Sequence, residues 1–107
     1  MVRRVRNPHI PLGPSGDGIR VRIVTEGRTV LDFTVQYEAY IDREHRPVVR
    51  YDCHLGPHRD TLDWSGQTID KQWMPKGISY NQALDDAIAD IESNWERYRD
   101  DFLRRRP

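Results

Sequence analysis

Leu31-Asp32-Phe33-Thr34-Val35-Gln36-Tyr37-Glu38-Ala39-Tyr40-Ile41 decides the fold of this chain. Leu31, Phe33, Val35, Tyr37, Ala39 and Ile41 alternate without a break against Asp32, Thr34, Gln36, Glu38 and Tyr40. Successive side chains of a strand point to opposite faces, so this run is a strand with one buried and one wet face, as antiparallel sheets have. Upstream, Ile19, Val21 and Ile23 alternate with Arg20 and Arg22, and Glu26-Gly27-Arg28 supplies a turn between the two strands. Downstream, Asp42-Arg43-Glu44-His45 is a polar connection, and Pro47, Val49, Tyr51 and Cys53 form the next apolar face. Residues 58 to 64 read as a fourth strand and 68 to 74 as a shorter fifth, before Pro75 and Gly77 end the sheet.

The remainder is a helix. Ser79 and Gln82 stand at capping-box spacing, and Leu84, Ala87, Ile88, Ile91, Trp95, Tyr98 and Phe102 trace one stripe at three- and four-residue steps. Some 24 helical residues span roughly 36 Å, long enough to overhang a small domain or to meet a partner. Residues 1 to 18 hold Pro8, Pro11, Pro14, Gly13, Gly16 and Gly18 with no apolar period, and read as a flexible N-terminal arm. The expectation is an α+β fold: a single domain over residues 19 to 107, an antiparallel meander of four or five strands packed against one long C-terminal helix.

At 107 residues a second domain is not expected. Apolar residues make up 36% and charged residues 32%, so the core is modest, and with the long helix this points to a homodimer. No apolar run has the length of a membrane span or of a signal peptide, which implies a soluble cytoplasmic protein with no membrane association. A lone cysteine, Cys53, excludes an internal disulfide and a cysteine-based zinc site, and its place on an apolar face reads as a buried inert thiol. Net charge is zero, yet Arg3, Arg4, Arg6, Arg104, Arg105 and Arg106 sit at the ends and leave a body of net −6. Basic ends of this kind either hold nucleic acid or are simply solvated.

The chemistry concentrates in Arg50-Tyr51-Asp52-Cys53-His54-Leu55-Gly56-Pro57-His58-Arg59-Asp60. Two hairpin registers are open there. A three-residue loop faces His54 with His58 and Asp52 with Asp60; a four-residue loop faces Cys53 with His58, Tyr51 with Asp60 and Val49 with Leu62. Apolar patterning favours the second, because it buries Leu62 and Trp64. Either way His58 and Asp60 share a face. Imidazoles and carboxylates so placed can exchange protons with a phosphodiester, so His58, His54, Asp60 and Asp52 are the catalytic candidates and Arg50 and Arg59 the phosphate-binding ones. The competing reading is a His-Asp and Arg-Asp network that only pins the turn. A metal site is a third option, set aside because no further histidine stands at ligand spacing, and no cofactor is expected. Trp73 and Tyr40 are the candidate stacking surfaces for bases.

The strand, Pro47-Val48-Val49-Arg50-Tyr51-Asp52, His58-Arg59-Asp60 and the helix Tyr80-Asn81-Gln82-Ala83-Leu84 to Asn94-Trp95-Glu96-Arg97-Tyr98-Arg99 together resemble a family of small uncharacterised prokaryotic α+β proteins, over residues 31 to 103. More distantly, Arg50-Tyr51-Asp52 and its histidine-bearing turn resemble the TumE-type toxins of toxin-antitoxin pairs, which are implicated in RNA cleavage. That resemblance extends to Arg50, Asp52, His54 and His58, and the denser histidine run of those toxins is missing here. It implies a ribonuclease-like toxin or RNA-binding protein with RNA and a cognate protein as partners. The rival expectation is a non-catalytic interaction module or antitoxin-like accessory subunit.

Overall fold

The computed structural model describes residues 2–107. Seven strands, β1 (Arg3–Arg6), β2 (His9–Leu12), β3 (Asp17–Glu26), β4 (Thr29–Ile41), β5 (Glu44–Asp52), β6 (His58–Leu62) and β7 (Thr68–Trp73), precede one helix, α1 (Tyr80–Arg104). Every pairing is antiparallel, and β3 to β7 follow one another as a meander. Among the described residues no helix is long and apolar enough to cross a membrane.

The strand count exceeds the four or five expected, because the stretch read as an arm pairs with the sheet. Of residues 1 to 18, residue 1 lies outside the described residues, while β1 and β2 lie along opposite ends of β3, with Arg6 opposite Ile23 and His9 opposite Arg20. They form one interrupted edge: between them the Val21 amide donates to the Pro8 carbonyl at 3.0 Å. Short edge strands tolerate proline and need no strong apolar period, so composition alone did not reveal them.

Tight turns set the meander. Asp42 and Arg43 both adopt positive φ (53° and 65°), closing β4 to β5 in the two-residue form whose twist matches that of the strands. Val48 is the extra residue of a bulge between Pro47, opposite Glu38, and Val49, opposite Tyr37. The bulge gives proline a place where a missing N–H does little harm, and it buries Val48 and Val49 in succession.

The helix covers one face. Phe33, Val35, Tyr37 and Ala39 of β4 are fully buried with Ala83, Ala87, Ile91 and Phe102. The Ser79 side chain accepts from the Gln82 amide at 3.1 Å, as the cap predicts, but the Gln82 side chain donates onward to Asp86 instead of returning. The far end of the helix does not overhang. Trp64 stacks on Phe102 at 4.4 Å and donates to its carbonyl, Arg105 donates to the Leu62 carbonyl, and Arg106 pairs with Asp42. A thirteen-residue β4 spans about 43 Å against about 37 Å for the helix, so the sheet is long enough to carry it.

Candidate functional site

The β5–β6 connection adopts neither expected register. Asp52 faces His58, Tyr51 faces Arg59 and Arg50 faces Asp60, which leaves residues 53 to 57 as a five-residue connection. This slip overturns the pairing of Val49 with Leu62, since Val49 faces Thr61. Leu62 is buried although it shares its strand parity with His58 and Asp60, so its burial did not identify the helix side. The turn costs conformational energy: Leu55 holds φ +60°, a left-handed region where side chains other than glycine are strained by roughly 1 to 2 kcal/mol, and it is followed by Gly56 at φ +116°.

The slip gathers the cluster on one side. Tyr51 and Arg59 reach α1, where the Tyr51 hydroxyl donates to Asp90 at 2.7 Å and Arg59 donates to the Tyr98 hydroxyl at 2.9 Å. Arg50, Asp52, His58 and Asp60 therefore face away from the helix. His58 is 2% exposed and Asp60 7%. Nδ1 of His58 lies 2.8 Å from the Gly56 carbonyl, which can only accept, so Nδ1 carries a proton. Nε2 lies 3.3 Å from Asp52 Oδ1 and 3.4 Å from Asp60 Oδ2. One ligand-capable atom from each of these three residues falls within 4.8 Å of the others. Trp73, opposite His58 on β7, packs edge-on over the imidazole at 5.1 Å, and Lys71 approaches Asp60 Oδ1 at 3.9 Å.

The other candidates stand apart. His54 is exposed at the turn; its backbone N–H donates to Asp52 Oδ1 at 2.9 Å, and no hydrogen bond ties its ring to His58. Arg50 donates to Gln36 at 2.8 Å. Arg59 is spent on Tyr98 and Gln72, tying β6 to the helix and to β7. Cys53 is buried, and burial pushes its thiol up to about 11. Trp73 is 57% exposed and Tyr40 37%, as expected of them.

Two carboxylates that organise hydrogen bonds, buried Asp17 and half-buried Asp90, escaped the sequence reading. Asp17 is 2% exposed; it accepts from the Tyr37 hydroxyl at 2.5 Å and the Tyr40 amide at 3.1 Å, and pairs with Arg99 at 3.4 Å. Asp90 accepts from both Tyr51 and Tyr98. Burial, reinforced by the hydrogen bond to Asp90, pushes the Tyr98 hydroxyl up to about 12, and the same causes raise Tyr51 further; burial and Asp17 raise Tyr37. Helical spacing of Asp90, Asn94 and Tyr98 beside the apolar stripe was the one available signal; Asp17 between two glycines offered none.

Outside the cluster, the end of the sheet beside it is unusually apolar. Leu55 is 84% exposed, Trp73 57% and Ile69 50%, and Leu55, Pro57, Trp73, Met74, Pro75 and Ile78 line one groove. All six residues of β7 are exposed, and among the described residues one of its edges is unpaired. No curated protein and no solved structure matches the chain. The model of the family described as Domain of unknown function (DUF7718) matches residues 9–107, and the chain belongs to that family.

Proposed function

We propose that the protein is a non-catalytic protein-interaction module that associates through β7, first with a second copy of itself. The observation that carries this reading is the exposed edge strand with its adjoining Leu55–Trp73 groove. Exposed apolar surface beside an open ladder is where strand addition occurs. Asp70 and Lys71 stand on opposite faces of β7, so the two-fold axis of an antiparallel self-pair runs through a residue; through Gln72 it sets each Lys71 opposite the other copy's Trp73, a favourable cation–aromatic pair. The ribonuclease-like reading finds less support: an imidazole 2% exposed, with Nδ1 on a carbonyl and Nε2 between two carboxylates under an indole, is poorly placed to reach a scissile phosphate.

Light scattering on the purified chain tests this. The parent runs as a dimer, Trp73→Lys and Trp73→Arg each as monomers because two cations then face each other, and adding Lys71→Glu to either restores the dimer. A monomeric parent, or singles that dimerise like it, refutes the reading; RNA cleavage by the parent that disappears in His58→Gln would establish the toxin reading instead.

RNA binding without cleavage has one specific observation in its favour. A cleft on the wet face is lined by Asn7, His9, Arg20, Arg22, Thr34 and Gln36, a basic and hydrogen-bonding surface suited to a phosphate backbone. Arg20 and Arg22 already pair with Glu38 and Asp32. Salt-dependent binding of labelled single-stranded RNA that weakens in Arg20→Glu would favour it.

A further inference from the structure

The geometry points to a divalent metal site formed by Asp52, His58 Nε2 and Asp60, a binding activity separate from association through β7. The first observation is the tautomer. Nδ1 donates to the Gly56 carbonyl at 2.8 Å, so a neutral His58 aims its Nε2 lone pair at two carboxylate oxygens, and a cation must lie between them. Either a proton or a metal ion can serve.

Distances separate the two. A charge-assisted N–H to carboxylate bond closes to about 2.7 to 2.9 Å. The contacts here are 3.3 and 3.4 Å, and neither makes a hydrogen bond. Ligands held at ~2.0 to 2.1 Å from an ion in tetrahedral arrangement stand ~3.3 to 3.4 Å from one another. Both histidine–carboxylate separations therefore match ligands around a shared ion, with the two carboxylate oxygens within 4.8 Å of each other.

A second observation is independent of the histidine. Asp60 is 7% exposed, and its Oδ1 is buried without a hydrogen-bond partner; Lys71 Nζ stays 3.9 Å away. A buried carboxylate oxygen left bare is costly, and an ion held by Asp60 through both oxygens, Oδ2 beside His58 and Oδ1, would satisfy it. Asp52, with a side chain 24% exposed, leaves one approach open to solvent. One imidazole with two carboxylates is a borderline-to-hard donor set, suited to zinc, manganese or iron(II). Bound there, the ion would clamp the end of β5 to the start of β6 across the strained Leu55 turn.

Calorimetric titration of chelator-treated protein with ZnCl2, and separately with MnCl2, tests the assignment. At least one of the two metals binds at one equivalent, and at a hundredfold excess over Kd it raises the melting temperature by roughly 10 °C. Asp60→Asn and Asp52→Asn weaken binding at least tenfold, whereas His54→Ala, at the exposed neighbouring imidazole, leaves it unchanged. Because Asp60 is buried, Asp52→Asn is the variant that keeps the test interpretable if Asp60→Asn does not fold. No saturable binding by the folded parent, binding indifferent to the Asp52 substitution, or an NMR spectrum with both His58 nitrogens still protonated under saturating metal would each overturn it.

Discussion

Replacing Arg59 by methionine separates a structural arginine from a phosphate-binding one. The guanidinium donates to the Tyr98 hydroxyl at 2.9 Å and to Gln72 at 2.7 Å, and lies 5.7 Å over the Tyr98 ring. A hydrogen bond from a charged group to a buried partner contributes about 1.5 to 3 kcal/mol; the exposed bond to Gln72 adds about 0.5, and the cation–π contact about 0.5 to 1. Against this, methionine removes the buried, unpartnered Nε, returning about 1 kcal/mol, and it keeps the apolar stem. The net cost is about 1.5 to 3.5 kcal/mol. Asp90 loses its 3.9 Å ion pair with Arg59 but keeps both tyrosine donors and part of its exposure, so the carboxylate is not stranded and little is added to the loss. For 107 residues, at about 2.1 cal/mol/K each, the melting temperature falls by roughly 7 to 16 °C. Thermal unfolding followed by circular dichroism reads this directly. A melting temperature within 2 °C of the parent would refute the reasoning, and if RNA affinity then fell as well, Arg59 would be a nucleic-acid ligand.

Asp17→Ala strands the Tyr37 hydroxyl, the Tyr40 amide and Arg99, and should cost about 3 to 5 kcal/mol in urea unfolding; a loss under 1 kcal/mol would show that water replaces the carboxylate. Stability should also fall as pH rises from 10 to 12. The folded chain holds phenolic protons that the unfolded chain releases near 10, so the contribution is complete below pH 10 and fades toward the folded value of about 12 for Tyr98, on the order of 2 to 3 kcal/mol from that residue. Urea midpoints at pH 9 and 11.5 measure it, and equal midpoints would contradict it. Cys53, with its thiol pushed up to about 11, should react with a disulfide reagent only at the rate of unfolding; labelling within seconds under native conditions would place it at the surface.

Strong local patterns carried the fold. The unbroken alternation of β4 and the α1 stripe from Leu84 to Phe102 each declare a buried face, and Ser79 declares where the helix begins. Weak or non-local features stayed hidden. β1 and β2 are four residues each and interrupted by prolines, so they acquire an identity only from β3 beside them. The site was legible as a composition and not as a geometry. Its register turns on a five-residue connection that places Leu55 at positive φ, and nothing in the identity of a leucine announces that conformation. Apolar pairing argued for splitting the cluster, and that argument failed because Leu62 is buried with the parity of His58. Asp17 meets Tyr37, 20 residues away and beyond any local periodicity, and Asp90, though at helical spacing from Tyr98, meets Tyr51, 39 residues away.

The two borders of the sheet are unlike. One is occupied by β1 and β2, broken at Asn7-Pro8, carrying a second proline at Pro11 and fringed by Arg3, Arg4 and Arg6; the other is β7, which is free of proline. Interrupted, proline-bearing and like-charged borders resist the addition of further strands. Growth of the sheet is thus self-limiting: once β7 of one molecule is consumed by another, only the guarded borders face outward. Pairing through β7, as proposed, would therefore close at two copies and leave no open edge from which fibres could propagate.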